Sequence, residues 1–176
     1  RATGEIHLVE TIEDVVSLKI STPESVAYVT QTTLSVDDTK KIVDCLKVRF
    51  PAIEGPRRDD ICYATQNRQD AVKKLAKSCE VILVVGSENS SNSNRLREIA
   101  ERQGCAAYLI DSAQDIQSEW LSEISAIGIT AGASAPEVLV TNVIKDLQAR
   151  GAELMDGQSA VDEGVYFSIP PELKNL

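Results

Sequence analysis

Between Gly86 and the next helical pattern the chain reads Ser87-Glu-Asn-Ser-Ser-Asn-Ser-Asn94, almost wholly small and polar. Hydroxyls and carboxamides of this kind donate hydrogen bonds to anionic oxygens without adding bulk, and the N–H groups of the helix start that follows supply more. The chemistry suggested is an anion cradle. Serine and asparagine also populate loops and caps for purely local reasons, so this loop alone leaves both readings open. A second loop, Thr130-Ala-Gly-Ala-Ser134, likewise joins a strand-like run to a helix opening near Pro136. Two such loops at the carboxyl ends of parallel strands offer convergent donors to one crevice. Phosphate or diphosphate binding becomes the favoured reading, with the Ser87–Asn94 loop and Ser134 supplying the donors.

Cys62 follows Asp59-Asp60 and precedes a helix whose start is expected near Thr65. A thiol set beside a helix start is suited to act as a thiolate ligand or nucleophile; the alternative is a small packing residue. Cys45 lies among the apolar positions of its helix, and Cys79 and Cys105 flank strand edges, so these three are expected to pack. No Cys-x-x-Cys spacing suggests zinc. His7 is the one histidine and sits in an alternating run, which leaves no basis for a Ser-His-Asp apparatus. Thr32 and Thr33 follow a strand end, where a hydroxyl can donate a proton or orient a water; by themselves they indicate little.

The elements that must position these residues can be read from periodicity. Glu5-Ile-His-Leu-Val9 alternates like a short strand, Thr11-Ile-Glu-Asp14 has capping-box spacing for a helix through about Leu18, and Val26-Ala-Tyr-Val29 reads as a second strand. Ser35 caps a helix carrying Ile42, Val43, Leu46 and Phe50 until Pro51 stops it. After Cys62 a helix presents Ala71, Val72, Leu75 and Ala76 on one face. Val81-Ile-Leu-Val-Val85 is an uninterrupted apolar run of the kind buried on both faces. Ala107–Ile110, with a helix around Trp120, and Ala126–Ile129, with a helix after Pro136, repeat the unit. The expected fold class is α/β, built from parallel-sheet β-α-β units. Pro56 to Asp60 is the best boundary, dividing residues 1–58 from a second α/β domain at 59–150. A tail at 151–176, with Val165–Ile169 as one more strand, is expected to pack back on another domain.

At about 150 residues per domain, 176 residues suggest one domain or two small ones. Hydrophobic residues make up 43% and charged residues 26%, as in a globular chain with a real core. The net charge of −9 repels phosphate backbones at long range, so no nucleic-acid partner is expected. No apolar run approaches the roughly 18 residues of a membrane span, and residues 1–20 lack the pattern of a signal peptide. Four scattered cysteines without secretory cues argue against a disulfide framework. The expected location is the cytoplasm or an organelle stroma, with no membrane partner.

Four segments together resemble a known family. They are Val29-Thr-Gln-Thr-Thr-Leu-Ser-Val-Asp-Asp-Thr39, Pro56-Arg-Arg-Asp-Asp-Ile-Cys-Tyr-Ala-Thr65, Val84-Val-Gly-Ser-Glu-Asn-Ser-Ser-Asn-Ser-Asn-Arg-Leu96 and Gly128-Ile-Thr-Ala-Gly-Ala-Ser-Ala-Pro136. In content and order they are similar to the LytB family of 4-hydroxy-3-methylbut-2-enyl diphosphate reductases. The resemblance covers essentially the whole chain but only the later part of the family's length. The family's opening Gly-Phe-Cys-Ala-Gly segment, second cysteine and acidic proton donor have no counterpart here, and His7 does not replace the family's substrate-contacting histidines.

What the resemblance implies is specific. The fold would be the end of a middle α/β domain (1–58), a third domain (59–150) and a tail. The reaction would be reduction of an allylic diphosphate to isopentenyl and dimethylallyl diphosphates in non-mevalonate isoprenoid biosynthesis, on a 4Fe-4S cluster held by three cysteines. Cys62 falls on the third of those cysteines. Thr32 falls on the threonine that positions the substrate hydroxyl and relays a proton, with Thr33 beside it as a substrate contact. Ser90, Ser91, Asn92 and Ser134 fall on the diphosphate-binding positions. Ferredoxin or flavodoxin would be the electron donor, and the location would be the bacterial cytoplasm or the plastid stroma. The chain alone is expected to be inactive. The alternative from another class is a non-catalytic module that binds a phosphate ligand without redox chemistry.

Overall fold

The computed structural model describes residues 4–57 and 60–155. Its centre is a parallel sheet of three strands, β1 (Val81–Val85), β2 (Ala106–Ile110) and β3 (Ile127–Ala131), in the order β2-β1-β3. Val81 stands opposite both Ala106 and Ile127 in register. With a neighbour on each side and helices on each face, β1 is buried throughout, which is why its sequence is a continuous apolar run rather than an alternating one. Ile82 and Val84 pack under two helices, α3 (Tyr63–Leu75) and α4 (Ser91–Arg102), with Val72, Leu96, Ile99 and Ala100. Val81, Leu83 and Val85 face the other way, onto Val143 and Leu147 of α5 (Glu137–Ala149).

The amino-terminal part holds α1 (Ile12–Ser17) and α2 (Val36–Arg49) over a separate small core of Val15, Leu46 and Phe50. The capping box is formed as its spacing predicts. Thr11 Oγ1 accepts from the Asp14 N–H at 3.1 Å, and the Asp14 carboxylate accepts from the Thr11 N–H at 2.8 Å. Ser35 caps α2, whose first turn carries Asp37 and Asp38 and whose last carries Lys47 and Arg49, matching the helix dipole at both ends. Arg49 reaches the carbonyls of Val15, Val16 and Leu18, satisfying acceptors that the end of α1 leaves open.

Three expected elements differ. Glu5–Val9 forms no strand among the described residues: Ile6 is 98% and Leu8 80% exposed, since alternation supplies a face but no neighbouring edge to pair with. Val26–Val29 is reduced to a single parallel bridge between Ala27 and Glu54, made by Tyr28 N–H to Glu54 O and Glu54 N–H to Val26 O. The helix expected around Trp120 is two short 3-10 turns, Ala113–Asp115 and Ser118–Leu121, with Glu123 beyond them at a positive φ of 57° that closes the segment. Trp120 is fixed instead by stacking on Tyr108, ring centroids 3.9 Å apart. The tail strand expected at Val165–Ile169 lies outside the described residues, as do Arg58 and Asp59 at the expected boundary.

A polar seam joins the two parts. Thr32 to Asp38 runs beside α3: the Cys62 N–H donates to Thr32 O at 3.1 Å, and Lys73 pairs with Asp37 at 2.8 Å. Between them Gln69, 1% exposed, grips both sides of one turn. Its Oε1 accepts from the Val36 N–H at 3.0 Å and its Nε2 donates to Leu34 O at 2.8 Å. Farther along, Arg102 of α4 pairs with Asp38.

Replacing Gln69 by Leu keeps the volume but strands a part-buried N–H and carbonyl, so urea unfolding of Gln69→Leu is expected to show a loss of about 1–2 kcal/mol. Asp38 adds a pH dependence. Burial pushes its carboxyl up, but the Arg102 and Ser35 hydrogen bonds and the charges of Arg102 and Lys41 outweigh this and hold it below the usual carboxylate range. A carboxyl lowered on folding stabilises the fold above its unfolded value of about 4 and loses that contribution as pH falls through the folded value. Acid titration of Asp38→Asn is therefore expected to show a shallower loss of stability below about pH 4 than the parent protein.

Candidate anion and thiolate site

β1 and β3 are neighbours, yet the chain leaves β1 for a helix on one face of the sheet and leaves β3 for a helix on the other. Loops that part in this way open a crevice at the carboxyl edge of an open parallel sheet. The first is Gly86–Ser90, the second Gly132–Pro136. Both are anchored at their roots, Gly86 N–H donating to Ile110 O and Gly132 N–H to Val85 O, each at 2.9 Å.

The cradle is smaller than its sequence suggests. Ser91 to Asn94 form the first turn of α4, so the connecting loop ends at Ser90, which is the N-cap. Asn94 spends its carboxamide inside the loop, Nδ2 donating to Glu88 O at 2.6 Å and to Ser90 O at 3.0 Å. Ser87 Oγ accepts from the Asn89 N–H at 3.3 Å. Ser93 turns inward and donates to Ser90 Oγ. What remains for a ligand is the Ser90 proton, the exposed Ser91 hydroxyl, Asn92, and the amides at the helix start that lack intrahelical partners.

Asn92 stands apart from the rest. It is 5% exposed, and neither its Oδ1 nor its Nδ2 has a hydrogen-bond partner among the described residues. Its Nδ2 points toward the second loop, 3.8 Å from where a Cβ on Gly132 would lie. Ser134 lies two residues farther along that loop, exposed in the turn closed by Ala135 N–H to Gly132 O at 3.0 Å. Ser90, with Ser91 and Asn92 in the first turn of α4, thus faces Ser134 of the second loop across one crevice.

Cys62 and Thr32 form the second group. Cys62 is the N-cap of α3, which begins at Tyr63, two residues before the Thr65 expected from sequence. Its thiol is exposed and makes no capping bond, so the packing alternative does not hold. The bond from its N–H to Thr32 O sets the thiol segment against the turn holding Thr32, exposed, and Thr33, half-buried. Asp60 secures the same approach, accepting from the Thr30 N–H at 2.6 Å. Leu75, at the far end of α3, lies against Gly128 near the start of β3, and α3 packs beside α4. The opposite end of α3, with Cys62, is thereby directed to the carboxyl edge of the sheet, where α4 starts.

The other thiols are placed as expected. Cys105 is buried and donates to Cys79 O at 3.2 Å, and burial pushes its thiol pKa up, with the neighbouring Cys79 thiol adding to the rise. Cys45 and Cys79 are half-buried beside the cores. His7 pairs with Glu5 at 3.3 Å on the exposed opening segment. No group of three or more His, Cys, Asp or Glu side chains that could hold a metal ion occurs among the described residues. No helix among them is long and apolar enough to cross a membrane. Residue types alone do not single out Gln69 or Ser93; the one signal is that each is a polar residue at a core-facing helical position.

A family model described as "LytB protein" matches residues 1–148. The chain is 60% identical over 171 residues to the 4-hydroxy-3-methylbut-2-enyl diphosphate reductase of Psychrobacter sp. (strain PRwf-1), and 63% identical over 171 residues to that of Pseudomonas savastanoi pv. phaseolicola. Each alignment covers 97% of this chain and 54% of the relative, so the chain spans about half the length of the curated relatives it matches. Among solved structures it is similar to the E-1-hydroxy-2-methyl-but-2-enyl-4-diphosphate reductase from Plasmodium falciparum, with a TM-score of 0.75 and 38% identity over 79% of this chain and 44% of that one.

The thiol placements are open to direct measurement. In metal-free protein under native conditions, iodoacetamide followed by peptide mass spectrometry is expected to modify Cys62 first and Cys105 last, and equal rates at the two would contradict the burial described.

Proposed function

The chain belongs to the LytB family, and on that premise we propose that the protein it represents reduces 4-hydroxy-3-methylbut-2-enyl diphosphate to isopentenyl and dimethylallyl diphosphates in isoprenoid biosynthesis. The allylic C–O bond breaks, two electrons and two protons enter, and the hydroxyl leaves as water. Within that protein residues 1–58 would finish a middle α/β domain and residues 59–150 form the third. The observation that carries the substrate assignment is Asn92. Each unpaired polar atom of a buried carboxamide costs about 1–3 kcal/mol, and the share of Nδ2 is offset when an anionic oxygen accepts from it.

In this reading the residues divide the work. Ser90, Ser91, Asn92, Ser134 and the first amides of α4 hold the diphosphate with neutral donors, which suits a chain of net charge −9 because the binding is local and short-ranged. Thr32, and Thr33 beside it, orient the allylic hydroxyl, and the Thr32 hydroxyl relays a proton to it. Cys62 fits one thiolate ligand of a 4Fe-4S cluster: its sulfur is exposed, free of capping bonds, and beside the positive end of the α3 dipole. Two further cysteine ligands would come from outside this chain. Such a cluster would supply the electrons and a Lewis-acidic iron. Ferredoxin or flavodoxin would deliver the electrons, and the reaction would take place in the bacterial cytoplasm or, in a plastid-bearing cell, the stroma.

Two substitutions in protein of the relatives' full length, handled without oxygen, separate this from a redox-free phosphate-binding module. Cys62→Ala is expected to lose stoichiometric iron and sulfide and all reductase activity while retaining affinity for inorganic diphosphate. Asn92→Ala is expected to keep its iron and bind inorganic diphosphate about tenfold more weakly. Unchanged activity in Cys62→Ala would remove the reductase assignment.

A further inference from the structure

The first turn of α4 contains a serine that the division of work above does not use. Ser93 is 1% exposed, and its hydroxyl lies where two glycines leave room for it. A Cβ on Gly86 would meet Ser93 Oγ at 2.2 Å, and so would one on Gly132. These are the residues immediately after the paired ends of β1 and β3. The two strand ends therefore lack side chains at the one place where the first turn of α4 inserts a hydroxyl between them.

Enclosed there, the Ser93 hydroxyl has Ser90 Oγ, at 3.0 Å, as its acceptor. A buried donor left unpaired is costly, so its proton goes to Ser90. Ser90 Oγ also accepts the Ser93 N–H at 3.2 Å. A serine hydroxyl has two lone pairs and one proton. With both lone pairs occupied by Ser93, the remaining function of Ser90 is donation, and it is half-buried beside the crevice, where a ligand can accept its proton.

We propose that Ser93 is a positioning residue for anion binding: its two hydrogen bonds to Ser90 Oγ, made from the space kept open by Gly86 and Gly132, turn the Ser90 proton toward the diphosphate oxygens. The inference rests on the diphosphate reading of the crevice and adds a residue, and two glycines, that act on the ligand through Ser90. It also accounts for Ser93 being a serine inside a buried helix face, where an apolar residue would pack without needing a partner. The accepted bonds polarise the Ser90 hydroxyl as well as orient it.

The test is a double-mutant cycle read by calorimetric binding of inorganic diphosphate to protein of the relatives' full length. Ser90→Ala is expected to weaken binding about tenfold, and Ser93→Ala about three- to tenfold. Adding Ser93→Ala to Ser90→Ala is expected to change binding less than about twofold, because the hydroxyl it directs is already gone. Gly86→Ala, which keeps the Ser93 hydroxyl but displaces it, covers the case in which Ser93→Ala does not fold, and is expected to give the same loss with the same dependence on Ser90. Equal losses with and without the Ser90 hydroxyl would mean that Ser93 only supports the fold, and would overturn the proposal. So would undiminished binding in Ser93→Ala or in Ser90→Ala. If the parent protein does not bind inorganic diphosphate at all, the reading of the crevice fails and this inference with it. Parent binding that responds to Asn92→Ala but not to Ser93→Ala sinks the Ser93 role alone.

Discussion

At the carboxyl edge of the sheet, one hydroxyl and two missing side chains govern how closely a helix can approach two strands. Ser93 enters between Gly86 and Gly132, and because it does, the first turn of α4 meets the ends of β1 and β3 together. Asn92 is carried into the crevice by that approach, and the second loop is brought within reach of its carboxamide. The sheet supplies the framework through ordinary means: a buried apolar strand, parallel neighbours, helices on both faces. The close approach gives its edge a distinctive shape.

Hydrogen-bond satisfaction sorts that site. The loop sequence offers a row of similar serines and asparagines, but Asn94, Ser87 and Ser93 close bonds within the loop while Asn92 does not. Residues that close bonds within the segment and residues left free to bind are of the same chemical type and interleaved within eight positions. Neutral donors suit a net acidic chain for the same reason: the helix start and a few short side chains act at contact distance, where the overall charge matters little.

Much of the fold is legible in the sequence because it depends on patterns within single segments. The Thr11 box, the Ser35 cap, the apolar run of β1 and the glycine-bearing strand ends all declare themselves locally. Glu5–Val9 and Val26–Val29 do not behave as strands because pairing depends on a partner edge, which no segment encodes by itself. The Trp120 segment has helical spacing, yet a stacked Tyr108 and a tight crossing override it. Of the site, the two loops are visible from residue types, and Cys62 as a candidate. The pairing of Cys62 with the Thr32 turn is not, since it arises from a backbone bond across 30 residues. Gln69 and Ser93 escape notice for a related reason: what marks them is burial, which residue type does not reveal.

The seam between the two parts is made of amides, carboxylates and cations, and the small core under α1 and α2 is separate from the cores of the sheet. Apolar packing is forgiving, so each interior can exchange methyl groups over time without informing the other. A carboxamide clasping a backbone turn is unforgiving: it holds one registration or none. The molecule can thus let both interiors drift while the alignment of sulfur and threonine stays constant, a division of labour in which grease supplies bulk stability and a few polar latches keep the gauge.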